Sequence, residues 1–349
     1  MKAMVMSKPG DVKVTEIPCP EPKPNQVLIK IMVAGICTND VRDYKGDCNY
    51  SYPRIGGHEF AGTIAKVGSD VNPDHFHVGQ NVVKYIIEDC KECELCRTGS
   101  ENICDGHMHS TVFSNPDGIS GYCGFAEYVC ADSNDVMVYE HETDFEKMAI
   151  TEPLACCINS IERTDVHFGQ DVMVVGGGTM GLLHVLLLQL RGARVFVSEP
   201  MADRREKALA LGAYAAIDPM ASDPVEQLKE LTGGKGADFV YNTCAHPAIA
   251  KQAIDMTASA GTCVMFSSIH PRQDVPVDCS ALHTYQKTVT GAVSPTIRAY
   301  YEAVQLIDKG IVNPLAVKEA TFDYTDFQTA MDTACRADTY KVLVKFGEC

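Results

Sequence analysis

The sequence predicts an α/β chain of two domains, a β-rich lobe followed by a doubly wound parallel sheet, and three observations predict it. A chain of 349 residues is longer than one domain usually needs. Its first 70 or so residues read as short alternating segments broken by turns, an all-β texture. From residue 153 onward apolar strands alternate with helix-length segments around a glycine turn, which is how βαβ units read.

In chain order, "QVLIKIMVAGIC" at 26–37 and "AGTIAKVGSDV" at 61–71 are strand candidates of the first lobe. "DVMVVGGGTMGLLHVLLLQLRGARVFVSEP" at 171–200 is a strand, a glycine turn, a helix and a second strand. Further strands are expected at 213–218, 237–243, 261–268 and 287–293, with a helix at 202–212 among the connections. The last segment, "YKVLVKF" at 340–346, has no evident place in a nucleotide-binding sheet, so it is expected to return to the first lobe. The domains then run 1–152, with a cysteine-rich lobe at 88–106, then 153–294, then 295–349 back in the first domain.

Thirty Lys and Arg against 46 Asp and Glu leave a net charge of −16, which repels phosphate backbones and anionic lipid. No nucleic-acid or membrane partner is expected. The start, "MKAMVMSKPGDVKV", carries Lys2, Lys8, Asp11 and Lys13 and lacks the apolar stretch of a secretion signal, so a cytoplasmic location is expected. "GLLHVLLLQL" at 181–190 is half of the ~20 residues a membrane span requires and reads as a buried helix. Sixteen cysteines in a reducing compartment point to thiols and metal ligands more than to disulfides.

Gly176, Gly178 and Gly181 form GxGxxG. The motif alone is weak, but here it follows the apolar strand Val172 to Val175, opens an apolar helix, and is followed by an acid, Glu199, at the end of the next strand. That context predicts a dinucleotide held by the turn residues Gly176, Gly178, Thr179, Met180 and Gly181, with the pyrophosphate on the helix N-terminus. Glu199 is placed to accept from ribose hydroxyls and would repel a 2′-phosphate, so NAD is expected over NADP. Arg204 and Arg205 act against that preference, since a neighbouring arginine can reach a phosphate.

Cys90, Cys93, Cys96 and Cys104 are spaced CxxCxxCx7C. Four thiolates aimed by short turns close a tetrahedral shell around a structural Zn(II), which leaves no position for substrate; a disulfide pair or an iron-sulfur cluster is the rival. Catalysis needs an incomplete shell. Cys37 in "GICTND" and His58-Glu59 in "GGHEF" offer a thiolate, an imidazole and a carboxylate for a second zinc with one open position. The HxH pairs His75/His77 and His107/His109 read as solvated loop residues.

With these motifs in order, joined by "GFAEY" at 124–128, "TEPLA" at 151–155 and the terminal "KVLVKF", the chain resembles the zinc-containing medium-chain dehydrogenases over essentially its whole length. Within them it is similar to the sorbitol (polyol) dehydrogenase branch. The resemblance implies a GroES-like catalytic domain, a Rossmann domain, an active site in the cleft, and a homodimer or homotetramer. It implies that Cys37, His58 and Glu59 hold the catalytic zinc with Glu152 beside it, and that Cys156 and Cys157 are helix neighbours and not ligands. Zinc would acidify a substrate hydroxyl and NAD would take the hydride.

Three departures stand against the family pattern. The hydroxyl residue expected two places after the first cysteine is Asn39, with Thr38 one step early, and an amide cannot shuttle a proton. Arg42 replaces a second relay histidine, so the proton falls to a water beside Glu152, or to Glu59. Ser294 and Pro295 stand where sorbitol-type enzymes carry an arginine, with Arg298 displaced, so sorbitol itself is in doubt. Arg42 and Arg54 could receive an acidic or phosphorylated sugar alcohol. The expected function is therefore hydride transfer between NAD and a secondary alcohol of a polyol or sugar derivative. The alternatives are a threonine-type amino-alcohol dehydrogenase, or an NAD-binding zinc protein without turnover. A zinc-free quinone reductase of the same superfamily would lack both metal motifs.

Overall fold

The computed structural model describes residues 1–106, 118–121 and 123–347. His107 and His109 lie outside the described residues. The chain divides into two compact units, Met1–Ala155 with Pro295–Cys349, and Cys156–Ser294.

The first unit is built on a mixed sheet of seven strands among the described residues. Its spine is Gln26–Ile36, whose apolar run is buried on both faces except at Lys30 and the first residue. This strand pairs antiparallel with Glu59–Val67, with Tyr128–Asp132 and with the terminal strand Lys341–Lys345. The last pairing puts Val342 opposite Ile36 and Val344 opposite Ala34, so strand Lys341–Lys345 lies buried beside the strand that leads into Cys37. Lys318–Asp323 lies outside the terminal strand, while Asn81–Lys84 and Val136–Tyr139 extend the other side. Ile29, Ile31, Phe60, Phe125, Phe327 and Phe346 fill the core, with Phe125 and Phe327 edge to face at 5.0 Å.

The second unit is a six-stranded parallel sheet in the order Ala215–Ile217, Arg194–Ser198, Asp171–Val175, Ala237–Asn242, Thr257–Met265 and Thr288–Gly291. Counted from Asp171–Val175 this is order 3-2-1-4-5-6, which reverses direction beside the first strand, the place where sheets of this order form a crevice. Thr257–Met265 starts four residues before the expected 261, because Thr257 already pairs with Ala237 across a register shift at Ala237/Phe239. None of the helices among the described residues is long and apolar enough to cross a membrane. The 181–190 run belongs to helix Thr179–Leu190, with Leu182, Leu183, Val185, Leu187 and Leu188 buried.

His184 on that helix is fully buried between the rings of Tyr241 and Phe266, at 5.2 and 5.0 Å. Its Nδ1–H donates to the Met180 carbonyl at 2.8 Å, and Nε2 has no hydrogen-bond partner. Burial therefore lowers its pKa to about 4, against the small opposing effect of the Met180 bond. Since the folded value lies below the unfolded one, the unfolded chain takes up this proton first as pH falls. Stability is untouched above about pH 6.5 and is lost between there and pH 4. A His184→Leu variant should accordingly gain on the parent as pH falls, by about 2 kcal/mol at pH 5 relative to pH 7.5. Urea midpoints of the two proteins across that range check it, and a constant difference would contradict it.

Candidate functional site

The four cysteines of the 88–106 lobe meet at one point. Their sulfurs stand 3.5 to 3.8 Å apart along Cys90–Cys96, Cys93–Cys96, Cys93–Cys104 and Cys90–Cys104. A tetrahedron with Zn–S bonds near 2.3 Å has edges of roughly 3.8 Å, whereas a disulfide needs about 2.05 Å. The geometry fits one ion inside four thiolates and leaves no room between them for substrate. Turns at Cys90 to Cys93 and the short helix Glu94–Arg97 aim three of the sulfurs, and Cys104 closes the set.

A second set unites Cys37, His58 and Glu59, whose ligand atoms all lie within 4.8 Å of one another. Two loops deliver it. Cys37 follows the spine strand and caps helix Thr38–Lys45, while His58 precedes the neighbouring strand and Glu59 opens it. Gly57 precedes His58 at φ +80°, a backbone state where a Cβ would strike the Phe125 ring. The residue that joins the loops is Asp40, which the sequence reading did not single out. One carboxylate oxygen accepts from the Cys37 amide at 3.0 Å, the other from the Gly57 amide at 3.0 Å, and the first stands 4.0 Å from His58 Nδ1. At that distance the carboxylate acts on the imidazole through its charge. An Asp three places after a helix-capping residue was the available signal.

Lys341 is the second residue that sequence reasoning missed. Its Nζ donates to both Glu59 oxygens at 2.7 and 2.6 Å and to the Ile36 carbonyl at 3.2 Å, in a setting where both side chains are buried. Gly35 has no side chain because a Cβ there would collide with that carboxylate. Burial alone would depress Lys341, but the Glu59 charge overrides it and holds the ammonium above its usual range. The proton acceptor expected at Glu59 is therefore already bound to a cation. The signal was a lysine at the start of an otherwise apolar strand.

Glu152, at the start of helix Thr151–Ile161, is buried and close enough for its charge to raise both His58 and Lys341. Burial opposes the charged form of His58, yet Cys37, Asp40 and Glu152 together hold it well above its usual value. Burial also pushes the Cys37 thiol up. The site is thus a buried anionic pocket that calls for a cation. Its sulfur, nitrogen and oxygen donors are those a catalytic zinc takes. Cys157 is buried with its thiol on the Met180 carbonyl at 3.6 Å, away from any metal set.

Arg54 departs from the role the sequence suggested. It is buried, paired with Asp43 at 2.9 Å by charge contact and not an aligned hydrogen bond, and lies 3.9 Å over the Tyr50 ring. Asp43 also accepts from the Tyr52 hydroxyl at 2.7 Å. A guanidinium so neutralised is a poor receiver for an anionic substrate. Asn39 meets the Tyr50 hydroxyl at 3.2 Å through Nδ2 and at 3.4 Å through Oδ1.

In the second unit, Gly176 at φ +105° turns the chain over Thr243 and Cys244, and Gly178 caps helix Thr179–Leu190 in extended backbone. Glu199 is buried, accepting from the Gly177 amide at 2.8 Å and the Met201 amide at 2.9 Å. Arg205 is spent on the Glu199 and Pro200 carbonyls and on Asp218. Arg204 reaches to 3.7 Å from where a Gly178 Cβ would stand, so its guanidinium borders the turn.

Comparison with known proteins bears on this pair of sites. Residues 23–141 match the family model "Alcohol dehydrogenase GroES-like domain", and residues 179–309 match "Zinc-binding dehydrogenase". An L-threonine 3-dehydrogenase of Caldanaerobacter subterraneus is 29% identical over 96% of this chain and 95% of its own. A sorbitol dehydrogenase of Halalkalibacterium halodurans is 29% identical over 99% of each chain. Among solved structures, a zinc-binding dehydrogenase of Sinorhizobium meliloti bound to NADP superposes with TM-score 0.90 at 27% identity, covering 99% of both chains.

Proposed function

Because the chain belongs to the zinc-containing medium-chain dehydrogenases, in their polyol dehydrogenase branch, we propose that it oxidises a secondary alcohol of a neutral polyol or sugar derivative with NAD. The observation that carries this reading is the buried set of three unlike donors, Cys37, His58 and Glu59, in a chain that also holds a glycine turn closed by Glu199. Three donors leave a coordination place for a substrate oxygen, whereas the four-cysteine set does not. We therefore assign one catalytic zinc to Cys37, His58 and Glu59, with Glu152 alongside, and one structural zinc to Cys90, Cys93, Cys96 and Cys104.

When bound, the catalytic zinc supplies a Lewis acid that lowers the pKa of a hydroxyl, and the nicotinamide supplies the hydride acceptor. The chain's own part is orientation. Asp40 pins the amides on which both ligand loops turn, and Lys341 balances the Glu59 charge so that the anionic pocket stays folded. Burial excludes bulk water and strengthens each of these contacts.

Preference for a neutral substrate is supported by Arg54, whose charge Asp43 already occupies. Preference for NAD is supported by the buried Glu199, while Arg204 lowers the barrier to NADP. A homo-oligomer is supported by the edge strand Thr288–Gly291, with exposed Val289 beside a groove of about 440 Å³ lined by Ile254, Met265, Val275 and Val277. A second copy can pair with such an edge.

The test is NADH or NADPH formation by purified protein against neutral polyols, their phosphates, sugar acids and threonine, with zinc counted per chain. The expected result is two zincs, a preference for NAD of at least about tenfold in kcat/KM, and neutral polyols as the best substrates. Threonine or sugar phosphates as best substrates would replace the substrate assignment, and a single zinc without turnover would leave a dinucleotide-binding protein.

A further inference from the structure

We infer that the four-cysteine lobe is a metal-dependent latch: its ion sets Glu101 in place, and Glu101 holds the segment by which the chain returns from the second unit to the first. The inference rests on the structural-zinc assignment above. Between residues 88 and 106 only Glu101, Asn102 and Cys104 are buried, so the lobe buries no apolar side chain besides a metal ligand. In a segment so built, metal binding supplies the folding free energy. Cys104 closes the metal set, and its amide donates to the Glu101 carbonyl at 3.0 Å, which fixes the last ligand and Glu101 together.

The Glu101 carboxylate reaches out of the lobe. It accepts from the Ile297 amide at 2.5 Å and stands 3.4 Å from the Tyr85 hydroxyl. Ile297 opens helix Ile297–Asp308, and the amides of a first helical turn have no partner within the helix. The Thr296 hydroxyl takes the Ala299 amide, and Glu101 takes that of Ile297. A carboxylate in this place also meets the positive end of the helix. One side chain thus joins a loop organised by metal to a helix far along the chain.

The capped helix begins at a crossing. The second unit ends at Ser294 and the first resumes at Pro295. On one side of that bond Asn159 Nδ2 donates to the carbonyls of Val293 and Ser294, at 3.3 and 2.7 Å. Ser294 has φ +50°, a left-handed state that costs a residue with a Cβ, so its surroundings must keep it there. On the other side the Tyr85 hydroxyl donates to the Pro295 carbonyl at 3.0 Å, and Glu101 holds Ile297. Emptying the lobe frees Glu101 and removes the last of these grips. Ion binding and helix capping are therefore coupled, and the coupling acts in both directions.

Hydrogen exchange at single-amide resolution compares wild type with Glu101→Ala, Glu101→Gln and Cys93→Ser, with the amides of strand Lys341–Lys345 as control. Glu101→Ala should speed exchange at Ile297 by roughly tenfold to a hundredfold, the worth of one hydrogen bond to a charged acceptor. Glu101→Gln, whose carbonyl oxygen still accepts, should lie between it and wild type. Cys93→Ser opens the metal set and leaves Glu101 in the sequence. It should match Glu101→Ala at Ile297, and combining the two should bring no further increase.

The reciprocal readout is zinc competition with a chromophoric chelator in a Cys37→Ser background, which lacks a ligand of the other set. There Glu101→Ala should weaken zinc binding by the lobe by a similar factor, with all four of its cysteines present. If Cys93→Ser disturbs the control amides as well, this measurement decides alone. Wild-type exchange at Ile297 in a folded Cys93→Ser, or wild-type zinc affinity in Glu101→Ala, would overturn the latch and leave the zinc assignment standing. A lobe that holds no metal in the purified protein would remove both.

Discussion

Cys37→Ser abolishes NADH formation, with a loss of at least about a thousandfold in kcat/KM, or ~4 kcal/mol of barrier, while the chain stays folded. The thiolate is the soft donor of the three-ligand set, and a serine hydroxyl does not ionise to replace it. The fold survives because Cys37 sits at the N-cap of helix Thr38–Lys45, where serine is a favoured residue, and because Asp40 still holds the amide at position 37. Zinc analysis should then fall from two per chain to one, the remaining ion being held by the cysteine lobe. Near-normal activity with two zincs retained would remove the catalytic-metal assignment.

Lys341→Met is expected to have the largest effect on stability, about 3 to 5 kcal/mol in the metal-free protein. The substitution keeps the length of the side chain and leaves the Glu59 carboxylate buried without its cation. A methionine in place of one partner is costly for that reason, whereas replacing both partners is not. Lys341→Met/Glu59→Gln should therefore recover much of the loss. Loading with zinc should narrow the single variant's deficit as well, because a divalent ion returns positive charge to the same carboxylate. Urea midpoints of the apo and zinc-loaded proteins, single and double variants, check both statements. A single variant as stable as the parent would show that the pair contributes nothing.

Both effects come from contacts of very different range along the chain, and range decided what could be read beforehand. The cysteine lobe, the glycine turn and the Gln26–Ile36 strand are local patterns. Each is written in neighbours no more than about 15 residues apart, where turn geometry and strand alternation act directly. Cys37 was set with His58 and Glu59 on donor chemistry, and the family resemblance implied the same set; the sheet brings them together because Gly35 of the spine strand is paired with Glu59 of its neighbour.

Lys341 is 282 residues from Glu59, and in sequence it is one lysine at the edge of an apolar run. Its role exists only because the terminal strand pairs with the strand ahead of Cys37. Arg54 shows the reverse case. Its charge suggested an anion receiver, but folding buries it on Asp43, and a charge already paired attracts little more.

The sequence by itself determined the α/β class and showed the glycine turn and the four-cysteine spacing, since propensity, periodicity and close ligand spacing are local properties. Only the tertiary structure decided which charges are already paired, as Arg54 is on Asp43 and Lys341 on Glu59, and which donors stand within reach of one another. Those outcomes depend on burial and on partners distant in the chain, and low-dielectric surroundings make each of them worth far more than the same residues in water.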